Sequence, residues 1–194
     1  VHIADVTYYV QEDSNLDEEA LHRGTSIYLV DRVIPMLPEK LSNNLCSLRP
    51  NEDRLSMSVL MDIQLNPLSL ESYEITPSII NSNHRMTYNE VQGILVHENS
   101  ELRELYDDFV NQLELMNTLR DKLRTRRFNE GSIDFERTEV KVILDEKGRP
   151  IDIQQERHRI AEQLIEEFMI LANKVVAEDM YWRDVPFIYR IHEA

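Results

Sequence analysis

The side chains best suited to chemistry in this sequence gather in the stretch 23–48. Tyr28 stands in a β-prone run, Ser26 to Val30, and the charged pair Asp31 and Arg32 follows at once. Pro35 and Pro38 come next, with Met36 and Leu37 between them, and Cys46 lies just beyond. Two readings stand on these residues alone. Aromatics in β-prone runs are mostly core, so Tyr28 fits a buried crossover packed on a sheet. The same ring beside a charged pair also fits an exposed platform on which a planar ring such as a nucleobase stacks. An irregular, apolar, proline-stiffened segment is costly to order, and a domain keeps one to shape a site or to lock two layers together.

Other chemistries lack their residues. No serine sits in a G-x-S-x-G elbow. Cys46 has no histidine near it in sequence and reads as a buried, inert thiol. With four glycines in the chain there is no glycine-rich phosphate loop. The six histidines, at 2, 22, 84, 97, 158 and 192, show neither H-E-x-x-H nor any close ligand pairing. Glu12, Asp13, Asp17, Glu18 and Glu19 resemble a metal cluster only superficially, because acid at a helix start beside the macrodipole explains them. The densest basic run is Arg120, Lys122, Arg124, Arg126 and Arg127; phosphate contacts and a solvated helix end explain Arg126 and Arg127 equally well.

The elements that must position these groups follow from periodicity. Residues 1–10 read as a buried strand. Ser14 and Asp17 are N-cap candidates for a helix through Arg23, and a short helix starts at Pro38 and ends near Asn43-Asn44. Leu55, Met57, Val59, Met61 and Ile63 alternate with more polar neighbours, Asn66-Pro67 makes a turn, and 69–80 returns as the second arm of an antiparallel hairpin. Thr87 caps a helix from Tyr88 to Leu95. From Glu101 to Arg127 one helix is expected, with Leu102, Leu105, Phe109, Leu113, Met116, Leu119 and Leu123 on its apolar face. Residues 139–144 and 151–155 are two strands across a turn at 145–148. A last helix, about 157–180, packs Ile160, Leu164, Phe168, Ala172 and Val175, with Glu162, Glu166 and Asn173 on a stripe beside them and Glu167 on the opposite flank. The expected class is α+β (mixed α/β), largely antiparallel sheet packed by helices.

The 194 residues suffice for one good core, and a single cysteine excludes an internal disulfide and fits a reducing compartment. No run approaches the roughly 20 apolar residues of a membrane span. The chain begins and ends inside strand-like runs, which leads us to expect a piece of a longer protein. The net charge of −15 argues against a simple basic nucleic-acid surface, although an enclosed channel can be locally basic.

Six pieces, in order along the chain, carry a family resemblance: VHIADVTYYV at 1–10, RGTSIYLVDRVIPMLPEKLSNNLCSL at 23–48, DR at 53–54, RRFNEGSIDF at 126–135, LIEEFMILAN at 164–173 and YRIHEA at 189–194. Together they resemble the catalytic domain of the RNB family of exoribonucleases, the ribonuclease R and ribonuclease II type, and lie nearer the R branch. The resemblance implies that 1–194 is a single partial RNB catalytic domain, truncated at both ends. It implies a 3′→5′ exoribonuclease that processively hydrolyses single-stranded RNA to nucleoside 5′-monophosphates with two Mg²⁺ ions about 3.5–4 Å apart. Hard Mg²⁺ takes oxygen ligands, and the family holds it with an Asp-x-Asp-Asp cluster just before the strand equivalent to 1–10. No such motif is present here, so the catalytic and metal residues are expected upstream of Val1 and the segment alone is expected to be inactive.

The substrate-holding side remains. By the family pattern Tyr28 stacks on the 3′-terminal nucleotides and Phe135 is the second aromatic of the clamp. Tyr88 and Glu166 contact the terminal nucleotide and its sugar, and Arg190 and His192 lie near the RNA. A carboxylate such as Glu166 can accept a hydrogen bond from the ribose 2′-hydroxyl, the group that separates RNA from DNA. Each has a bland counterpart: Tyr88 merely starts a helix, Phe135 is core. The implied partner is the 3′ end of single-stranded RNA, with flanking RNA-binding domains in the parent, a cytoplasmic location, and neither DNA nor membrane. Two rival readings are a non-catalytic single-stranded RNA-binding protein that keeps the clamp, and an acidic protein-interaction domain.

Overall fold

The computed structural model describes residues 1–133, 139–156 and 159–191. Its elements are β1 (His2–Ala4), α1 (Asn15–Arg23), β2 (Ile27–Tyr28), β3 (Val33–Ile34), β4 (Asp53–Leu65), β5 (Leu68–Asn81), α2 (Tyr88–Leu95), α3 (Ser100–Leu105), α4 (Asp107–Asn129), β6 (Glu139–Leu144), β7 (Pro150–Glu156) and α5 (Ile160–Trp182). The fold mixes helices with antiparallel sheet, as expected.

The frame is the long β4–β5 hairpin, in register from Asp53↔Asn81 to Leu65↔Leu68 across a cis Asn66-Pro67 bond. Alternation gives it two faces. Val59, Met61, Ile63 and Ile75 pack under α4 and α5 with Leu123, Leu171, Ala172 and Val175. On the other face the hydroxyls of the buried Ser56 and Ser58 bond to Ser78 at 2.8 and 2.5 Å. β1 adds the third strand, with Ile3 opposite Met57. A second cluster joins α2 to α4 through Ile94, Val110 and Leu113, with Leu102, Tyr106 and Met116 around it. α2 also lies so near α3 that a Cβ on Gly93 would meet Leu102 Cδ1 at 2.6 Å.

Four expectations need correction. The strand over 1–10 is only three residues long and its side chains are partly or fully exposed; Asp5 then caps a 3-10 turn by accepting a hydrogen bond from the Tyr8 N–H at 3.2 Å, which turns the chain away from the sheet. The helix after Pro38 is a π-helical turn, Leu41–Leu45. The single helix over 101–127 is two, broken at Tyr106, whose hydroxyl donates to Glu90 at 2.8 Å and whose ring enters the second cluster. Leu105 is left 68% exposed by that break. The chain beyond Asp184 has no regular structure through Ile191, where a strand-like run was expected.

Several other local readings agree with the structure. Ser14 caps α1, which carries Asp17 and Glu18 in its first turn. Thr87 and Glu90 form a complete capping box at the start of α2. Cys46 is half-buried, and burial followed by the nearby Asp5 charge pushes its thiol up, away from the reactive thiolate. Among the described residues no helix is long and apolar enough to cross a membrane.

Ile94 is fully buried, so Ile94→Ala is expected to lower the unfolding free energy by about 2–5 kcal/mol. Leu105→Ala, at the break, should change it by less than about 0.5 kcal/mol. Equilibrium urea denaturation of both variants checks the pair; a core-sized loss at Leu105 would argue for one continuous helix.

Candidate nucleic-acid interface

Tyr28 is not a core residue. It ends the two-residue strand β2, opposite Val33 of β3, and is 78% exposed. The tip between the strands is closed by the Leu29 N–H donating to the Arg32 carbonyl at 2.9 Å. Arg32 folds back on Asp31, with Nη2 2.7 Å and Nε 3.0 Å from Oδ2, and that contact holds the Asp31 carboxyl below its ordinary range. The hairpin is tied down from behind. The Met36 N–H donates to Ser26 Oγ, and Arg23 Nη1 donates to the Pro35 carbonyl, both at 2.9 Å. Pro35 and Pro38 restrict the exit. A small, polar-braced hairpin thus presents an aromatic ring to solvent, and the buried-crossover reading fails.

Tyr88 is the first residue of α2 and is 47% exposed. The capping box fixes that end. Hydrogen bonds from the Thr87 hydroxyl and N–H, then from the Tyr106 hydroxyl, hold Glu90 below the usual carboxylate range, and the same contact raises Tyr106. The next residue, Asn89, reaches α5: its Oδ1 accepts from Arg159 Nη1 at 2.6 Å. Arg159 in turn donates to Glu162 Oε1 through Nη2 at 2.7 Å and Nε at 3.2 Å, while its backbone N–H reaches Oε2. Burial pushes Glu162 up, but these bonds and the guanidinium charge outweigh it and leave the carboxyl below its ordinary value. Asn89, next to Tyr88, and Glu162 therefore belong to one connected polar seam between α2 and α5.

Glu166 lies one turn further along α5, about 6 Å by helical rise. Its side chain is 36% exposed and its Oε1 is 3.4 Å from Arg127 Nη2. Glu162 and Glu166 share a stripe as expected, and Asn173 is exposed further along. The apolar face of α5, however, is rotated from the expected one. It buries Ala161, Leu164, Leu171, Ala172 and Val175, and it also buries Glu167, which is 2% exposed. Arg127 donates to Glu167 Oε1 through Nη2 at 2.5 Å, and its Nε lies 3.2 and 3.3 Å from the two oxygens. Arg124 stands 4.0 Å away, and both guanidiniums lie over the Phe128 ring.

The basic run is accordingly not an open cationic strip. Arg120 is buried against Asn117, Gln163 and Asp121, Lys122 bonds Asn66 Oδ1 at 2.8 Å, and Arg126 lies 3.9 Å from Glu130. Sequence reasoning missed Glu167 and Arg127 as a pair. The available signal was the i, i+3 spacing of Arg124 and Arg127 beside a lone carboxylate on an apolar helix face. Arg190 is exposed in the irregular C-terminal stretch. Phe135 and His192 lie outside the described residues. Among the described residues no group of three or more His, Cys, Asp or Glu converges on a point, so the residues present do not fit a two-ion centre. The depression of about 660 Å³ between α3 and α4 is lined by Glu98, Arg103, Glu104, Asp107 and Glu114 and contains none of the residues expected to hold RNA.

The braced hairpin offers an exposed aromatic suited to a planar base, and the α2–α5 seam separately offers carboxylates suited to a sugar hydroxyl. The RNB domain family matches residues 1–194, and the chain belongs to that family. Within it the chain is similar to Ribonuclease R 2 of Lactococcus lactis, 47% identical over the whole chain and 29% of that protein, and to Ribonuclease R of Thermotoga maritima, 50% identical over the whole chain and 27% of that protein. The fold is similar to Mycoplasma genitalium RNase R solved in complex with ribose-methylated single-stranded RNA, with a TM-score of 0.84, 34% identity, and coverage of 99% of this chain and 30% of that one. The chain thus spans less than a third of the length of each of these relatives.

The seam has a pH signature. Glu162 is held below its unfolded value, so its pairing stabilises the fold above that value and is lost as pH falls through the folded one. Arg159→Ala is expected to cost about 1–2 kcal/mol near neutral pH. The gap from wild type should narrow as pH falls through the folded value of Glu162, leaving the part due to the Asn89 bond, which does not titrate. Paired thermal melts at neutral and acid pH check this; a gap of the same size at both would remove Glu162 as a contributor.

Proposed function

We propose that this chain is the substrate-gripping part of a partial RNB catalytic domain, within a longer 3′→5′ exoribonuclease that degrades single-stranded RNA to nucleoside 5′-monophosphates in the cytoplasm. Tyr28 supplies a stacking surface for bases at the 3′ end, Tyr88 and Glu166 contact the terminal nucleotide and its sugar, and Phe135, Arg190 and His192 complete the RNA-facing set. The Mg²⁺ ions of the hydrolytic step take their ligands from outside these 194 residues, and RNA-binding domains flank the segment. The observation that carries the reading is the 78% exposure of Tyr28 on a hairpin braced by Ser26 and Arg23. Leaving a large aromatic in water on a fixed support makes physical sense when a partner ring covers it. Family membership and the RNA complex of the similar Mycoplasma genitalium enzyme support RNA as that partner.

Two measurements test the proposal. In the full-length polypeptide, Tyr28→Ala is expected to weaken binding of a single-stranded RNA oligonucleotide by about 1–3 kcal/mol, roughly five- to 150-fold in Kd, while Tyr28→Phe keeps most of the affinity. Fluorescence anisotropy reads both, and equal affinities for Ala and wild type would sink the stacking role. The isolated 194-residue chain with Mg²⁺ should release no mononucleotides from the same RNA. Sustained release would place the metal ligands inside the chain after all.

A further inference from the structure

We propose that Glu167 is a positioning residue, which fixes Arg127 from the buried side so that Arg127 holds the Glu166 carboxylate in place for a ribose 2′-hydroxyl. The inference deepens the reading of Glu166 as the sugar contact and rests on it.

Glu167 is 2% exposed on the face of α5 that packs on α4. A carboxylate there loses most of its hydration and persists as a charge only with a cation and hydrogen bonds to replace it. Arg127 provides both, through the side of the guanidinium that carries Nε and Nη2. The paired bonds set the plane of the guanidinium as well as its position, because the fork is rigid. Phe128, 5.4 Å from its Cζ, restricts it further. The same Nη2 lies 3.4 Å from Glu166 Oε1, on the half-exposed side. One planar cation is thus shared between a buried carboxylate and a half-exposed one.

The consequence concerns specificity. Glutamate has three side-chain torsions, and an untethered Glu166 on an exposed helix face would sample many of them. Accepting a hydrogen bond from a sugar hydroxyl requires its oxygen within hydrogen-bond reach at a set angle. Arg127 supplies the tether, and Glu167 makes Arg127 a fixed point. Loss of Glu167 removes the buried fixed point and lets the guanidinium shift relative to Glu166. Affinity contributed by base stacking then survives, whereas preference for ribose at the 3′ end declines.

The test uses the full-length polypeptide in EDTA, so that binding is read without turnover. Two oligonucleotides are compared by anisotropy, one all-ribose and one with 2′-deoxyribose at the 3′-terminal nucleotide. A charge-assisted hydrogen bond predicts about tenfold preference for the ribose end in the wild type. Glu166→Ala should bring the ratio near one. Glu167→Gln should bring it below about threefold with the Kd for the deoxy oligonucleotide unchanged. The double variant Arg127→Met/Glu167→Met removes both charges, which is often neutral for stability, and it should keep the wild-type Tm without recovering the preference. A full ratio in Glu167→Gln beside a collapsed one in Glu166→Ala overturns the positioning role alone. A full ratio in Glu166→Ala overturns the sugar contact and this inference with it. Recovery of ribose preference together with Tm in the double variant would make the pair merely structural, and also overturns the proposal.

Discussion

A buried carboxylate dictates the geometry of the α4–α5 seam. Glu167 is out of water, so α5 must lie where Arg127 can reach it, and α4 must extend far enough to bring Arg127 there. Successive helical residues are set about 100° apart, so fixing Glu167 inward turns Glu166 toward the margin and keeps Glu162, four residues before Glu166, on the same stripe. The ion pair adds less to stability than it does to rotation. Leu123, Leu171, Ala172 and Val175 supply the apolar contact against Val59 of the hairpin, and any aliphatic face would do as much. What the charge adds is a single angular setting of α5, and with it the placement of the half-exposed carboxylates.

The other candidate groups are held by different means. Tyr88 is fixed by backbone capping: Thr87 and Glu90 satisfy the free amides of the α2 start, and Ile94 at the other end of that helix sinks into the second apolar cluster. Arg159 then ties Asn89 to Glu162, so the rotation imposed at Glu167 is shared with the helix that carries Tyr88. Tyr28 depends on neither helix. Its hairpin has only two residue pairs and no buried side chain, and it stands because Ser26 and Arg23 bond the backbone that leaves it. Polar bracing of this kind leaves the ring face exposed, whereas apolar packing would have covered it.

Much of this was legible in the sequence where the signal is local. The alternation over 55–63 and Asn66-Pro67 located the main hairpin, and Thr87 as a cap located α2 to the residue. Two of the failures share a cause, which is contact between residues distant in sequence. Helical periodicity runs straight through Tyr106, and only the hydroxyl bond to Glu90 and the packing of its ring in the second cluster mark the break. The expected face of α5 was built from apolar residues alone, and the true face contains a glutamate whose partner lies 40 residues earlier. Tyr28 could not be assigned from residue type, because a buried and an exposed tyrosine in a β-prone run look alike. The family resemblance chose the exposed reading for it, but gave no hint of Glu167.

The pairing of the cations bears on how a chain with a net charge of −15 would hold the proposed RNA. Counterion release by unpaired Lys and Arg is the usual source of nucleic-acid affinity. Here Arg120, Lys122, Arg124, Arg126 and Arg127 all have partners within the fold, four of them facing carboxylates. On the proposed reading, this part of the protein contributes little by neutralising phosphates. Its contribution is recognition of what a 3′ end has besides charge: a base face for Tyr28 and a sugar hydroxyl for Glu166. Both are indifferent to sequence, because every base has a π-face and every ribonucleotide has a 2′-hydroxyl. A surface built this way lets successive nucleotides occupy the same contacts, which suits an enzyme that shortens RNA from one end.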